Sequence, residues 1–195
     1  GWTSKPLAPA ARQLYSQLRG NFDQPRVVYE HSGTNNGAGT PRVFEMLPHF
    51  TGRATLESLY MQATIMAPYA YYMQALVSEA PSCPFPNFPC PRPNLKRALE
   101  LFPLLGARDL ILVTDKLKTQ AGLLPNQLDG RVSSGPWTLY GARPAADDGS
   151  TYVMGLSEPP EVLSVDRSVD FKARFFKWFE AYRPGQGRWL VRSGV

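Results

Sequence analysis

The sequence predicts an α+β protein: a small mixed sheet covered by helices, in a single mixed domain over residues 1–195. Three observations carry this expectation. The run Leu110-Ile111-Leu112-Val113 is continuously apolar, the pattern of a strand buried on both faces. The stretch DFKARFFKWFEAY, from Asp170 to Tyr182, repeats aromatic residues at helical spacing. Helical and extended patterns alternate without the regularity of a doubly wound parallel sheet.

In chain order, Ala10 to Leu18 reads as a short helix with Leu14 and Leu18 on one face. Arg26 to Tyr29 reads as a strand, because Val27, Val28 and Tyr29 favour pleated backbone. The segment HSGTNNGAGTP is turn chemistry: Gly and Asn accept positive φ, and Pro41 closes the loop. Arg42 to Met46 reads as a second extended segment. Thr55 is placed to cap a helix from Leu56, with Leu59 and Tyr60 at helical spacing and Pro68 as an interruption. Tyr69, Tyr72, Met73 and Leu76 continue its apolar face, which serves as core or as a surface for a membrane or partner domain.

Asn94 caps a helix lined by Leu95, Leu99, Leu101 and Phe102, and Gly106 ends that apolar stretch. Asp109 to Thr114 is the expected central strand, and a helical turn is expected from Asp115 to Gln120. Asp115-Lys116 stands where sheets deliver functional residues, but Asp115 is equally a helix cap, the reading preferred here. Gly130 to Arg143 reads as a hairpin around Gly135-Pro136. Tyr152–Leu156, Val162–Val165 and Trp189–Val191 read as strands. The helix over 170–182 carries Phe171, Phe175, Trp178 and Phe179 as its apolar stripe.

Composition narrows the function classes. A chain of 195 residues with 43% hydrophobic residues can bury a core, which excludes disorder throughout. No run of about eighteen apolar residues occurs, so no spanning helix is expected. The opening GWTSKPLAPAARQLYSQL lacks a basic-then-apolar leader, so any targeting or anchoring segment is expected outside this chain. The net charge of +5 comes from scattered basic residues and a looser cluster from Lys172 to Arg192, with no dense Lys/Arg run and no nucleic-acid motif, so no nucleic-acid partner is expected. Cys83 and Cys90 lie in SCPFPNFPCPRP, a proline-rigid loop short enough to close. They predict a disulfide rather than free thiols. A zinc site would need two further ligands that the sequence does not supply, and neither a metal nor a cofactor is expected.

No phosphate-cradling loop, dinucleotide fingerprint, nucleophile elbow or zinc-protease helix is present. His31 and His49 are the two histidines. The pairs Glu30-His31 and Glu45…His49 border apolar runs, where a carboxylate or imidazole can have its pKa shifted. Glu30, His31 and Glu45 are therefore the catalytic candidates; the competing reading makes them buried, hydrogen-bonded groups that pin the loop. If Val28 and Glu30 share one strand face, His31 points to the other. Arg42 and Arg53 can each fork onto a carboxylate or phosphate, and a cleft bordered by Glu30, Glu45, Arg42 and Arg53 is expected.

Five strings together carry a family resemblance: RVVYEH, GTPRVFEMLPHFTGR, TLESLYMQA, the SCPFP loop and LLGARDLILVTDKLK. Over roughly residues 26–140 the chain resembles the non-membrane domain of large bacterial multi-pass membrane proteins called 6-pyruvoyl-tetrahydropterin synthase-related. These are organised like type C glycosyltransferases. The positions that match are Arg26, Glu30, His31, Gly39, Thr40, Arg42, Glu45, Pro48, Gly52, Arg53, Glu57 and Gln62. The resemblance implies Arg42, Arg53, Glu57 and Gln62 as substrate-binding candidates. It implies no pterin chemistry, since that enzyme's three-His zinc site cannot be built from two histidines.

The resemblance sets the functional expectation: an extracytoplasmic domain of a bacterial membrane protein in cell-envelope glycan assembly. Such a domain would bind or position a lipid-linked sugar or glycan beside the membrane-embedded remainder of the same protein, the parent rather than this chain being the glycosyltransferase. Two alternatives stand beside it: a freestanding hydrolase or transferase using Glu30, His31 and Glu45, and a non-catalytic interaction module.

Overall fold

Backbone pairing in the computed structural model centres on β2 (Ala107–Leu112), where Leu110, Ile111 and Leu112 are each wholly buried. The structure describes residues 2–57, 67–143, 161–163, 170–183 and 190–192. The chain divides into two compact units, Gly1–Thr151 and Tyr152–Val195.

In the first unit β1 (Arg26–Tyr29) runs parallel to β2, with Tyr29 opposite Ile111. On its other side β2 pairs antiparallel with β4 (Trp137–Ala142), which pairs in turn with β3 (Leu128–Ser134). The sheet order is thus β1-β2-β4-β3. The expected central strand is present, shifted by two residues toward the N-terminus. The expected hairpin is present too: Gly135 and Pro136 form its turn, and Gly135 takes φ 57°, where an added Cβ would stand 2.8 Å from that of Ala10.

Helices flank this sheet, so the α+β class is what the structure shows. On one face α1 (Ala8–Gln17) packs Leu14 and Tyr15 with Val27, Tyr29, Ile111, Trp137 and Leu139. Three successive β2 residues cannot all face α1, because side chains alternate across a strand. Leu110 and Leu112 are therefore buried on the opposite face to Ile111, and both faces of the strand are covered. The other α-helices among the described residues of this unit are α2 (Leu47–Thr51), α3 (Ala67–Leu76), α4 (Leu95–Leu101) and α5 (Asp115–Gly122). The Asn94 side chain accepts from the Arg97 amide at 3.0 Å, the cap its sequence position suggested.

Four expectations change. Arg42–Met46 is not extended: Val43–Met46 is a 3₁₀ turn, because Val43, Phe44 and Leu47 are buried together and their spacing is helical. The Gly/Asn loop is likewise a 3₁₀ turn over Gly33–Ala38, with Ser32 Oγ accepting from the Thr34 amide. Thr55 does not cap a helix at Leu56. It lies beside Val27, whose amide donates to Ala54 and whose carbonyl accepts from Leu56, so residues 54–56 border the free edge of β1. Asp115 opens α5 as its first residue, and Thr114 stands in the cap position.

The second unit contains a parallel pair, β5 (Glu161–Leu163) and β6 (Leu190–Arg192), and α6 (Asp170–Ala181). Phe176, Phe179 and Tyr182 are buried aromatic residues of this unit. The apolar stripe is thus displaced from the expected one: Phe179 is buried as expected, while Phe175 and Trp178 are half-buried. The strand expected over 152–156 lies outside the described residues.

Burial of β2 gives a direct stability prediction. Ile111→Ala should cost about 2–5 kcal/mol, the usual range for deleting a buried large aliphatic side chain. Chemical denaturation checks it, with a midpoint close to that of the parent chain as the contrary result.

Candidate functional site: a groove at the end of β1

The end of β1 sends consecutive side chains in opposite directions. Tyr29 and His31 lie on one side, with ring centroids 5.8 Å apart, and Glu30 goes to the other. Glu30 is wholly buried. Its Oε2 accepts from the amides of Val113, at 2.6 Å, and Thr114, at 2.9 Å, where α5 begins. A carboxylate is well placed there, since the first amides of a helix have no partners within it and carry partial positive charge. Glu30 therefore closes the parallel pair onto α5. It is a structural brace and faces no groove.

His31 is held from both ends. Its amide donates to Ser78 Oγ at 2.9 Å, and its Nε2 lies 3.0 Å from Glu57 Oε2. Gln74 of α3 donates from Nε2 to the Tyr29 carbonyl at 2.8 Å, so α3 and the residues after it clamp this turn of chain. Arg42 pairs through Nε with Glu45 Oε1. In both pairs the acid is the buried partner: the Glu45 and Glu57 side chains are each 3% exposed, against 43% for Arg42 and 13% for His31.

His31 and Arg42 face an open groove of about 380 Å³, whose other lining residues include Tyr71, Pro41, Ser82 and Pro84. That volume lies at the lower end of the range for small-molecule sites. The Cys83–Cys90 disulfide, with Cα atoms 5.9 Å apart, closes the loop that supplies Pro84. Within it Phe85 meets Tyr71 edge-on at 5.6 Å.

The groups behind the groove influence one another. Burial pushes the Glu45 carboxyl above the ordinary carboxylate range; Arg42 pulls it back and Glu57 adds to the push. Burial also raises the Tyr29 hydroxyl well above its ordinary value, reinforced by Glu57 and Glu45. Tyr71 is raised by burial and then by Glu57. The Tyr29 hydroxyl has no hydrogen-bond partner among the described residues.

The four-residue cleft does not form. Arg42 and Glu45 meet, but Glu30 turns away, and Arg53 lies at the opposite end of β1. Its Nη2 donates to Asp109 Oδ2 and to the Pro25 carbonyl, both at 2.5 Å, while Arg131 donates to Asp109 Oδ1 at 2.6 Å. Gly52, at φ 75°, turns the chain out of α2 just before Arg53. From Pro25 to Tyr29 an extended chain covers about 13 Å, too far for one guanidinium to serve both ends. Arg53 is a buried brace for Asp109, and its removal would leave that buried carboxylate with Arg131 as its remaining ion-pair partner. His49 is exposed on α2 against Phe50, away from its expected pairing with Glu45. Glu57 is at the groove's back wall; Gln62 lies outside the described residues. Among the described residues no group of three or more His, Cys, Asp or Glu is placed to hold a metal.

Sequence reasoning missed Asn35, Ser78 and Gln74. Asn35 is wholly buried: its Nδ2 donates to the carbonyls of Glu30 and Pro41, at 3.3 and 3.2 Å, and its Oδ1 accepts from Trp137 Nε1 at 2.9 Å. An asparagine inside a Gly-rich loop reads as turn chemistry, and nothing local distinguishes one buried in a core. In comparisons with known proteins, no family model matches the chain, and neither does any curated protein or solved structure.

Two predictions separate bracing from groove residues. Glu30→Ala leaves one buried and one partly buried amide without their acceptor and should cost about 2–4 kcal/mol, whereas Glu30→Gln keeps an acceptor and should cost less. Equal losses in the two denaturation curves would contradict the bracing role. For Arg42→Ala the sign is set by Glu45. With its folded-state pKa raised, Glu45 binds more protons folded than unfolded, so its contribution to stability is present at acidic pH and lost as pH rises. Removing Arg42 raises that pKa further. The variant's deficit in Tm should therefore be largest near neutrality and shrink on acidification through the carboxylate range; a deficit that grows on acidification would contradict it.

Proposed function

We propose that the chain is an extracytoplasmic domain of a bacterial membrane protein in cell-envelope glycan assembly. It binds or positions a lipid-linked sugar or glycan in the groove of His31, Arg42 and Tyr71, beside the membrane-embedded remainder of the same protein. The observation that carries the reading is the groove itself, in which two polar side chains, His31 and Arg42, are each fixed from behind by a buried carboxylate. Side chains oriented in advance by such partners bind at less entropic cost. The disulfide supports an oxidising compartment. No helix among the described residues is long and apolar enough to cross a membrane, so anchorage is assigned to other segments of the protein.

Binding is favoured over catalysis by this chain alone because of where the three catalytic candidates lie. Glu30 is wholly buried with one oxygen, Oε2, on backbone amides, and Glu45 is paired with Arg42, which leaves His31 as the candidate that lines the groove.

Titration with a lipid-linked oligosaccharide in detergent micelles tests the reading. Arg42→Ala, measured on folded protein, should weaken binding about tenfold, which is about 1.4 kcal/mol. Arg53→Ala should act through the unfolding midpoint instead. Unchanged affinity in Arg42→Ala would remove the groove from the reading. Placement is checked in cells: the Cys pair should resist a membrane-impermeant maleimide until a reductant is added, and two freely reactive thiols would overturn it.

A further inference from the structure

We infer that the groove takes an uncharged, hydroxyl-rich group, such as a neutral sugar ring, rather than a phosphate. The inference deepens the binding role proposed above and rests on it. Its basis is the hydrogen-bond geometry of His31. Glu57, as a carboxylate, can only accept a hydrogen bond, so the His31 nitrogen 3.0 Å from it, Nε2, carries the proton. In the neutral ring the lone pair is then on Nδ1, which has no partner among the described residues. That tautomer offers the groove an acceptor. Arg42 spends Nε on Glu45, which leaves its terminal N–H groups as donors. A hydroxyl is the group that both donates and accepts, and a ring bearing several can satisfy His31 and Arg42 together.

Charge points the same way. The groups at and behind the groove are the Arg42 guanidinium, the Glu45 and Glu57 carboxylates, the His31 ring and the Tyr29 and Tyr71 hydroxyls. The Arg42 cation faces two carboxylates, Glu45 and Glu57, so the groove has no excess of positive charge. A phosphate entering here meets no net positive field, loses hydration, and faces the Nδ1 lone pair. Anion sites are built the other way, with donors and cations in excess. The walls agree: Pro41, Pro84 and Tyr71 offer apolar surface for the C–H face of a ring, and Ser82 adds a hydroxyl at the rim. In a lipid-linked sugar, the phosphate then lies outside this groove.

Amide-shift titration of the 195-residue chain at neutral pH tests this. The probes are neutral hexoses, N-acetylhexosamines and their disaccharides, the corresponding sugar 1-phosphates, and inorganic phosphate alone. The expected result is saturable shifts at His31, Arg42 and Ser82 with at least one neutral sugar. Its 1-phosphate should bind within about threefold of it, and about 0.5 M salt should change the affinity little, as for an uncharged ligand. Ser82→Trp fills the rim from an exposed position and should abolish the shifts while leaving the thermal midpoint in place. A sugar 1-phosphate that binds tenfold tighter with strong salt dependence, or saturation by inorganic phosphate alone, would overturn the inference and leave the groove's binding role standing. Absence of shifts at these residues with every probe would overturn both.

Discussion

The groove depends on one buried amide, that of Asn35. Its two hydrogen-bond donations join the end of β1 to the carbonyl of Pro41, and its oxygen takes the indole N–H of Trp137 in β4. The residues between those anchors have no strand or long helix to hold them. What fixes them is this fully satisfied polar junction, set in a core of Tyr29, Phe44 and Trp137 rings 5.4–5.5 Å apart. A buried amide with a missing partner would cost stability, whereas one with every partner present selects a single conformation. Ser32, Gly33, Pro41 and Arg42, which form one side of the groove, inherit their positions from it.

The same logic runs through the buried acids of the first unit. Glu30 has backbone amides, Asp109 has two arginines, Glu45 has Arg42 and Glu57 has His31. Desolvating a carboxylate is costly unless hydrogen bonds and opposite charge replace the lost water. What separates brace from site is where each partner's remaining surface goes. Arg53 is itself buried, so its pair with Asp109 is closed to a ligand. Arg42 and His31 retain exposed surface in the groove, so their acids orient them without consuming them.

This division sets how much of the molecule was legible in the sequence. Features with a local cause were readable: the apolar run of β2, the Gly135-Pro136 turn, the Asn94 cap, the Cys83–Cys90 pair, and the opposed directions of Glu30 and His31. Features with a distant cause were not. His31 and Glu57 are 26 positions apart, and Arg53 and Asp109 are 56 apart. No spacing rule joins either pair, so four charged residues near one loop read as a single cleft. The turn over Val43–Met46 was legible in principle, since Val43, Phe44 and Leu47 carry a helical spacing. Val and Phe favour strands individually, and over so short a stretch that preference hid the period. Thr55 misled for another reason: its type and position suit a cap, but the open edge of β1 supplied backbone partners for its neighbours.

The far side of the groove has a different foundation. The loop over residues 82–90 carries Pro84, Pro86 and Pro89, and its attachments include Phe85 on Tyr71 and the disulfide. Closing a loop of this length with a covalent link removes chain entropy worth about 2–3 kcal/mol from the unfolded state. A wall with so little core of its own relies on that contribution more than the Asn35 side does. In a reducing compartment Pro84 would lose that covalent restraint and depend on the ring contacts and stiff backbone of its loop. The groove therefore has one wall fixed by packing and another secured by a covalent bond that an oxidising environment maintains, which ties its shape to the extracytoplasmic placement proposed for the domain.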